Sequence, residues 1–134
     1  MDQLRKNDMA LLLIRLFFGF AMIYGHGWRK WERLSSGEEI TFADPFGVGP
    51  GVSLGLAVFA EVFCSALILI GLFTRLATIP LIITMGVAAS FIHAGDPFSD
   101  KEAAISYLVV YAALLLMGPG WYSLDSWLAQ RRRA

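Results

Sequence analysis

Two charged residues lie deep inside apolar runs, and they are the first candidates for chemistry. Arg15 interrupts MALLLIRLFFGFAMIYGHG, and Glu61 interrupts VSLGLAVFAEVFCSALILIGL. A charge in a bilayer core costs at least a few kcal/mol, so such residues pair with one another or handle ions and protons. Arg15 lies eleven residues before His26, and Glu61 nine residues after Val52. With both of those ends at one membrane face, a rise of about 1.5 Å per residue sets the two charges roughly 16 and 14 Å deep. The expectation is an Arg15–Glu61 ion pair near mid-membrane. It serves either as architecture fixing helix register, or as the floor of an outward-opening cavity in which Glu61 takes up a proton. An opposite charge favours the carboxylate and burial disfavours it.

A second constellation gathers at the outer mouth: His26, Lys30, His93, Asp96 and Glu102. Tyr107 and Tyr111 share a helix face at i, i+4. These groups suit hydrogen bonding to the carbonyls of a quinone-like ligand, with His26, Lys30, His93, Tyr107 and Glu102 as its binding residues. The plainer reading is polar side chains capping helices and meeting water. Two histidines and two carboxylates also bring metal or haem to mind. Neither set shows ligand spacing within one helix, so neither group is expected. Cys64 is the single cysteine, which excludes a disulfide or a C-x-x-C pair within the chain.

The elements that must position these residues are membrane helices. The 134-residue chain is 57% hydrophobic and 16% charged, against about 25% charged in a soluble domain. The net formal charge is zero, so no basic surface points to nucleic acid. A bilayer core takes about 20 apolar residues per helix. Spans are expected over 9–27, 52–72, 76–92 and 100–117, the last with a short apolar part. An antiparallel bundle of four transmembrane helices in one domain, 1–134, follows from the short links. Gly118-Pro119-Gly120 stops the fourth helix, and 121–130 reads as an interfacial helix rich in Trp and Leu. Arg5 and Lys6 precede the first apolar run as in a signal peptide, but Arg15 interrupts it and no A-x-A-type site follows. The first connection is read as a loop from Trp28 to Gly51. Arg5, Lys6, Arg75 and Arg131 to Arg133 outnumber Arg29, Lys30, Arg33 and Lys101, which puts both chain ends on the cytoplasmic side. Asp125 is expected to pair with Arg75. Asp44-Pro45-Phe46 and Asp96-Pro97-Phe98 echo one another, as a trace of duplication or as two ordinary turn starts.

The order of several blocks resembles the DoxX family and its DoxD-like relatives. The carriers are His26-Gly27 with Lys30, the stretch FAEVFCSALILIGLFTRLA, MGVA from Met85, His93 with Asp96-Pro97-Phe98, Glu102, and GPGWYSLD from Gly118. The resemblance covers nearly the whole chain. It implies a small four-helix protein of the bacterial cytoplasmic membrane, often a subunit of a membrane oxidoreductase; the relative DoxD is associated with thiosulfate:quinone oxidoreductase. The positions it carries over are His26, Lys30, Glu61, Arg75, His93 and Asp125. The long first loop with ADPFGVGPG departs from the pattern. The leading expectation is a quinone-interacting subunit with a partner oxidoreductase. Behind it stand a non-catalytic membrane scaffold and an oligomeric pathway for a small solute or protons.

Overall fold

The computed structural model describes residues 2–134, and among these it forms five helices. They are α1 (Gln3–Ser35), α2 (Pro50–Ile70), α3 (Thr74–Ile92), α4 (Phe98–Met117) and α5 (Leu124–Arg133). The first three are long and apolar enough to cross a membrane, and the chain is a multi-pass membrane protein. In α4, Asp100, Lys101 and Glu102 shorten the apolar run to Ala103–Met117. The helix packs along α3 and touches α1, so the first four helices close around one core. That core holds Leu11, Met22, Cys64, Ile68, Leu81, Met85, Tyr111 and Leu114. Many large apolar side chains outside it are exposed, including Phe17, Phe20, Phe63 and Ile83. A lipid-facing surface has that composition; a water-facing one does not.

The ends are set by local chemistry. Asp2 caps α1 by accepting from the Arg5 amide at 2.9 Å. Gly71, at φ 72°, ends α2, with Gly71 and Leu72 amides returning to Ile68 and Leu67 carbonyls. The following Phe73 is left-handed at φ 48° without being glycine. Asp125 holds it there: its carboxylate accepts from Phe73 N at 2.8 Å and Thr74 N at 3.0 Å. Asp125 thus pins the α5 segment to the α2–α3 turn, not by the expected pair with Arg75 but through amides at the start of α3. Arg75 turns instead to the Leu116 carbonyl, at 3.4 Å. Carboxylates are favoured at helix N-termini and cations at C-termini, and both residues obey that rule.

At its C-terminal end the first helix runs eight residues past its apolar run. Trp28–Ser35 was expected to begin the outer loop, but it continues α1 without a break. The segment keeps its fold by i, i+4 contacts: Trp28 Nε1 donates to Glu32 at 3.0 Å, and Arg29 to the Gly25 carbonyl at 3.0 Å. Three of the helices contain a π-helical stretch, Ile23–Gly27 in α1, Phe59–Cys64 in α2 and Ala88–Ile92 in α3. Such wide turns recur at functional sites, and two of these hold His26 and Glu61.

Candidate functional site

The extra length of α1 changes its register against α2. Gly27 packs directly on Glu61: a Cβ there would lie 2.8 Å from Val62 Cγ2 and 2.9 Å from the Glu61 carbonyl. Gly19 likewise faces Leu69 and Ser65. The sequence expectation aligned His26 with Val52, so the helices are slid by nine or ten residues, about 14 Å, from that register. Lys30, one turn past Gly27, therefore reaches Glu61. Its Nζ lies 2.8 Å from Oε1 and 2.6 Å from Oε2. Glu61 is 1% exposed, while the Lys30 side chain retains 27% exposure.

The expected Arg15–Glu61 pair is not formed. Arg15 is carried about 14 Å toward the opposite end, where its buried guanidinium serves carbonyl groups. It donates to Ile68 O at 3.1 Å, Pro119 O at 2.7 Å, Tyr122 O at 2.9 Å and Leu69 O at 3.4 Å. Ile68 and Leu69 are in the last turn of α2, where carbonyls lack the regular i+4 amide partner, and Ile68 O shares its acceptor capacity between Gly71 N and Arg15. Pro119 and Tyr122 belong to the GPG turn. One planar five-donor fork satisfies both chain segments at once. Proton handling by Arg15 with Glu61 has no geometric basis; Arg15 clasps the end of the bundle that holds the GPG turn.

Beside Lys30 a cleft of about 320 Å³ opens between α2 and α3. Leu56, Ala57 and Phe59 wall it from α2, and Pro80, Ile83, Thr84 and Ala88 from α3; Phe42, Pro45 and Phe46 of the α1–α2 loop cover it. Its polar contributors are few. Ser53 and Thr84 hydroxyls are already donating, to Asp44 at 2.8 Å and Pro80 O at 2.7 Å. Lys30 is the single charged residue in the lining among the described residues, and its ammonium lies 5.9 Å from the Phe42 ring centre.

The covering loop is fastened by Asp44. Its carboxylate accepts from Val48 N at 2.9 Å, Gly49 N at 2.8 Å and the Ser53 hydroxyl. The Ser53 hydroxyl first, and the Gly49 and Val48 amides after it, hold this carboxyl below the usual range. Gly49, at φ 102° and ψ 146°, adopts a conformation open in practice only to glycine, and Pro50 then starts α2. Asp96, in the second Asp-Pro-Phe, does something else: it meets His93 Nδ1 at 2.8 Å. Both tripeptides open turns, Asp44 O to Gly47 N and Pro97 O to Asp100 N, and their roles differ.

Of the five residues expected to bind a ligand, Lys30 lines the cleft; His26, His93, Glu102 and Tyr107 do not. His26 and Tyr107 meet edge to face at 5.5 Å in the groove between α1 and α4. Tyr107 stacks on Tyr111 at 5.9 Å. No tyrosine hydroxyl bonds to Glu61 among the described residues, and the Tyr111 hydroxyl is fully buried without a hydrogen-bonding partner. No group of three metal-ligating side chains gathers among the described residues. Sequence reasoning missed Phe42, Phe46, Ser53 and Thr84. The usable signal was Asp44 followed nine residues later by Ser53 at a helix start, across GVGPG.

The family model for DoxX matches residues 10–94. The chain belongs to the DoxX family. No curated protein and no solved structure matches it. The DoxX match spans α1 from its second turn, the covering loop, α2 and α3. The Lys30–Glu61 pair, Arg15 and the whole cleft therefore lie inside the DoxX region, whereas Glu102, Tyr107 and Asp125 lie beyond it.

Proposed function

We propose that this DoxX-family chain is a membrane subunit of a redox system, and that its cleft takes a quinone-class molecule from the bilayer. The observation that carries the reading is the Lys30 ammonium, held by a fully buried Glu61 and presented to an otherwise apolar, phenylalanine-walled cleft. An ammonium has three donors. Two are taken by the Glu61 oxygens, which leaves one for a single acceptor such as a quinone carbonyl. The volume falls at the lower end of small-molecule sites. When bound, a quinone supplies two-electron, two-proton chemistry, with electrons from a partner oxidoreductase. The chain's own part is to orient and to move protons. Lys30 donates to the carbonyl, Glu61 is the nearest proton acceptor for that ammonium, and Phe42 and Phe46 roof the cleft with apolar surface.

In this reading α4 is a fourth span, and its short apolar run is completed by the aromatic segment after Gly120. The cation-rich end, with both chain ends, faces the cytoplasm, and the membrane is the bacterial cytoplasmic membrane. A photoreactive azidoquinone tests the site. Labelling should fall on peptides containing Phe42–Phe59 and Pro80–Ala88 and be competed by unlabelled quinone. Labelling centred on His26 and Tyr107 instead would move the site to the α1–α4 groove.

A second reading, a non-catalytic scaffold for a partner oxidoreductase, is favoured by the complete pairing of both buried charges. In that case no labelling is specific.

A further inference from the structure

The chain has zero net charge but is strongly bipolar. At the end holding the GPG turn lie Arg5, Lys6, Arg15, Arg75, Arg131, Arg132 and Arg133, against Asp2, Asp8 and Asp125. All three carboxylates there are committed to backbone amides: Asp2 to Arg5, Asp8 to Trp121, Asp125 to Phe73 and Thr74. Among the described residues the ion pairs are Lys30–Glu61 and His93–Asp96, both elsewhere. Among the described residues, Arg5, Lys6 and Arg131 to Arg133 therefore have no carboxylate partner.

Three of these cations belong to α5, whose attachment is uneven. Its first turn is tied down by Asp125, whose amide also donates to Gly71 O at 2.9 Å. The approach to it is fixed by Arg15 on Tyr122 O and by Asp8 on Trp121 N. Beyond Asp125 the helix makes no hydrogen bond or ion pair to the bundle among the described residues, and Trp127 onward is exposed. Trp121, Tyr122, Trp127 and Leu128 present apolar surface beside the arginines. The Arg131 guanidinium lies 4.1 Å from the Trp127 ring. Aromatic rings at headgroup depth next to unpaired cations match an anionic leaflet in both polarity and charge.

We infer that α5, with Trp121 and Tyr122, is a docking surface for the phosphate headgroups of anionic phospholipids in the leaflet at this end of the bundle. The rigid attachment of its first turn to Gly71, Phe73 and Thr74 keeps the arginines beside that leaflet rather than free on a tether. The surface is independent of the cleft, and the inference stands whatever the cleft binds.

The test uses the full chain in nanodiscs of mixed phosphatidylcholine and phosphatidylglycerol. Native mass spectrometry counts the lipids of each kind that stay bound as collision energy rises. Phosphatidylglycerol should be retained in preference to phosphatidylcholine, and salt should weaken the preference. One basic residue near an anionic surface is worth a factor of about five. Replacing all three arginines, R131Q/R132Q/R133Q, should therefore cut the preference by about tenfold or more, while R131K/R132K/R133K retains most of it. An undiminished preference in the glutamine variant overturns the inference, as does equal retention of both lipids by the unaltered chain. Displacement of phosphatidylglycerol by millimolar inorganic phosphate would mean a free-anion site and overturns it too.

Discussion

Lys30 and Glu61 are separated by 31 residues in sequence and by 2.6 Å in space. One partner is fully buried and the other reaches the cleft, so the pair is asymmetric. Removing one member of a buried pair costs about 3–5 kcal/mol because the other charge is stranded. Lys30→Met strands Glu61 and should lower stability by about 3 kcal/mol. Glu61→Gln frees a lysine that can reach water, and should cost about 1–2 kcal/mol. The double variant should be more stable than Lys30→Met alone. Denaturation in mild detergent, followed by tryptophan fluorescence, gives the order; a Lys30→Met at least as stable as Glu61→Gln would contradict it.

The Arg15 clasp predicts a different pattern. Lysine supplies charge but not the planar fork that reaches four carbonyls. Arg15→Lys should destabilise by about 2 kcal/mol or more, since buried acceptors lose their donors. Limited proteolysis should then cut first near Gly118 to Ser123, where Pro119 and Tyr122 lose their partner. Equal protection of that segment in both proteins would rule the clasp out.

Close approach of α1 and α2 depends on Gly27. A Cβ at that position meets Val62 and the Glu61 backbone at 2.8–2.9 Å, whereas one at Gly25 meets nothing within 4 Å. Gly27→Ala should part the helices and weaken the Lys30–Glu61 contact. Gly25→Ala should be neutral or slightly stabilising, because alanine is the better helix former. Thermal melts of the two variants make the comparison, and equal shifts would argue against the contact.

The Asp44 clamp gives a pH dependence. Its carboxyl is held below the usual range by Ser53 and the loop amides. A group with a depressed folded pKa contributes stability that is fully present above its unfolded value, about 3.9, and is lost as pH falls through the folded value. The covering loop should therefore be fastened at neutral pH and loosen only below about pH 4. Protection factors of the Val48 and Gly49 amides, from hydrogen exchange, should drop over that range. In Asp44→Asn they should be lower throughout and lack the drop.

Much of the fold was legible, and the reasons are specific. Apolar runs of bilayer length, GPG at the end of α4 and the tight α2–α3 link each reflect one dominant energy, burial in lipid or a backbone constraint. The ion pair was misread because one boundary was misread. Trp28–Ser35 looks like loop by hydropathy, but it is an amphipathic helical extension, and eight extra residues shifted the register of α1 on α2. Arg15, Lys30 and Glu61 were all singled out in the sequence, yet which cation meets Glu61 depends on that register alone. The cleft was invisible for another reason: Phe42, Phe46, Thr84 and Ala88 are unremarkable residues until the loop folds over α2 and α3.

The most direct measurement of the central claim is quinone content. Purified chain is extracted into organic solvent and quantified by mass spectrometry against an empty-membrane control, beside Ala57→Trp, which fills the cleft, and His26→Ala, which leaves it untouched. The account predicts near one quinone per chain, retained in His26→Ala and lost in Ala57→Trp with folding intact by thermal melt. No enrichment over the control, or quinone undiminished in a folded Ala57→Trp, would contradict it.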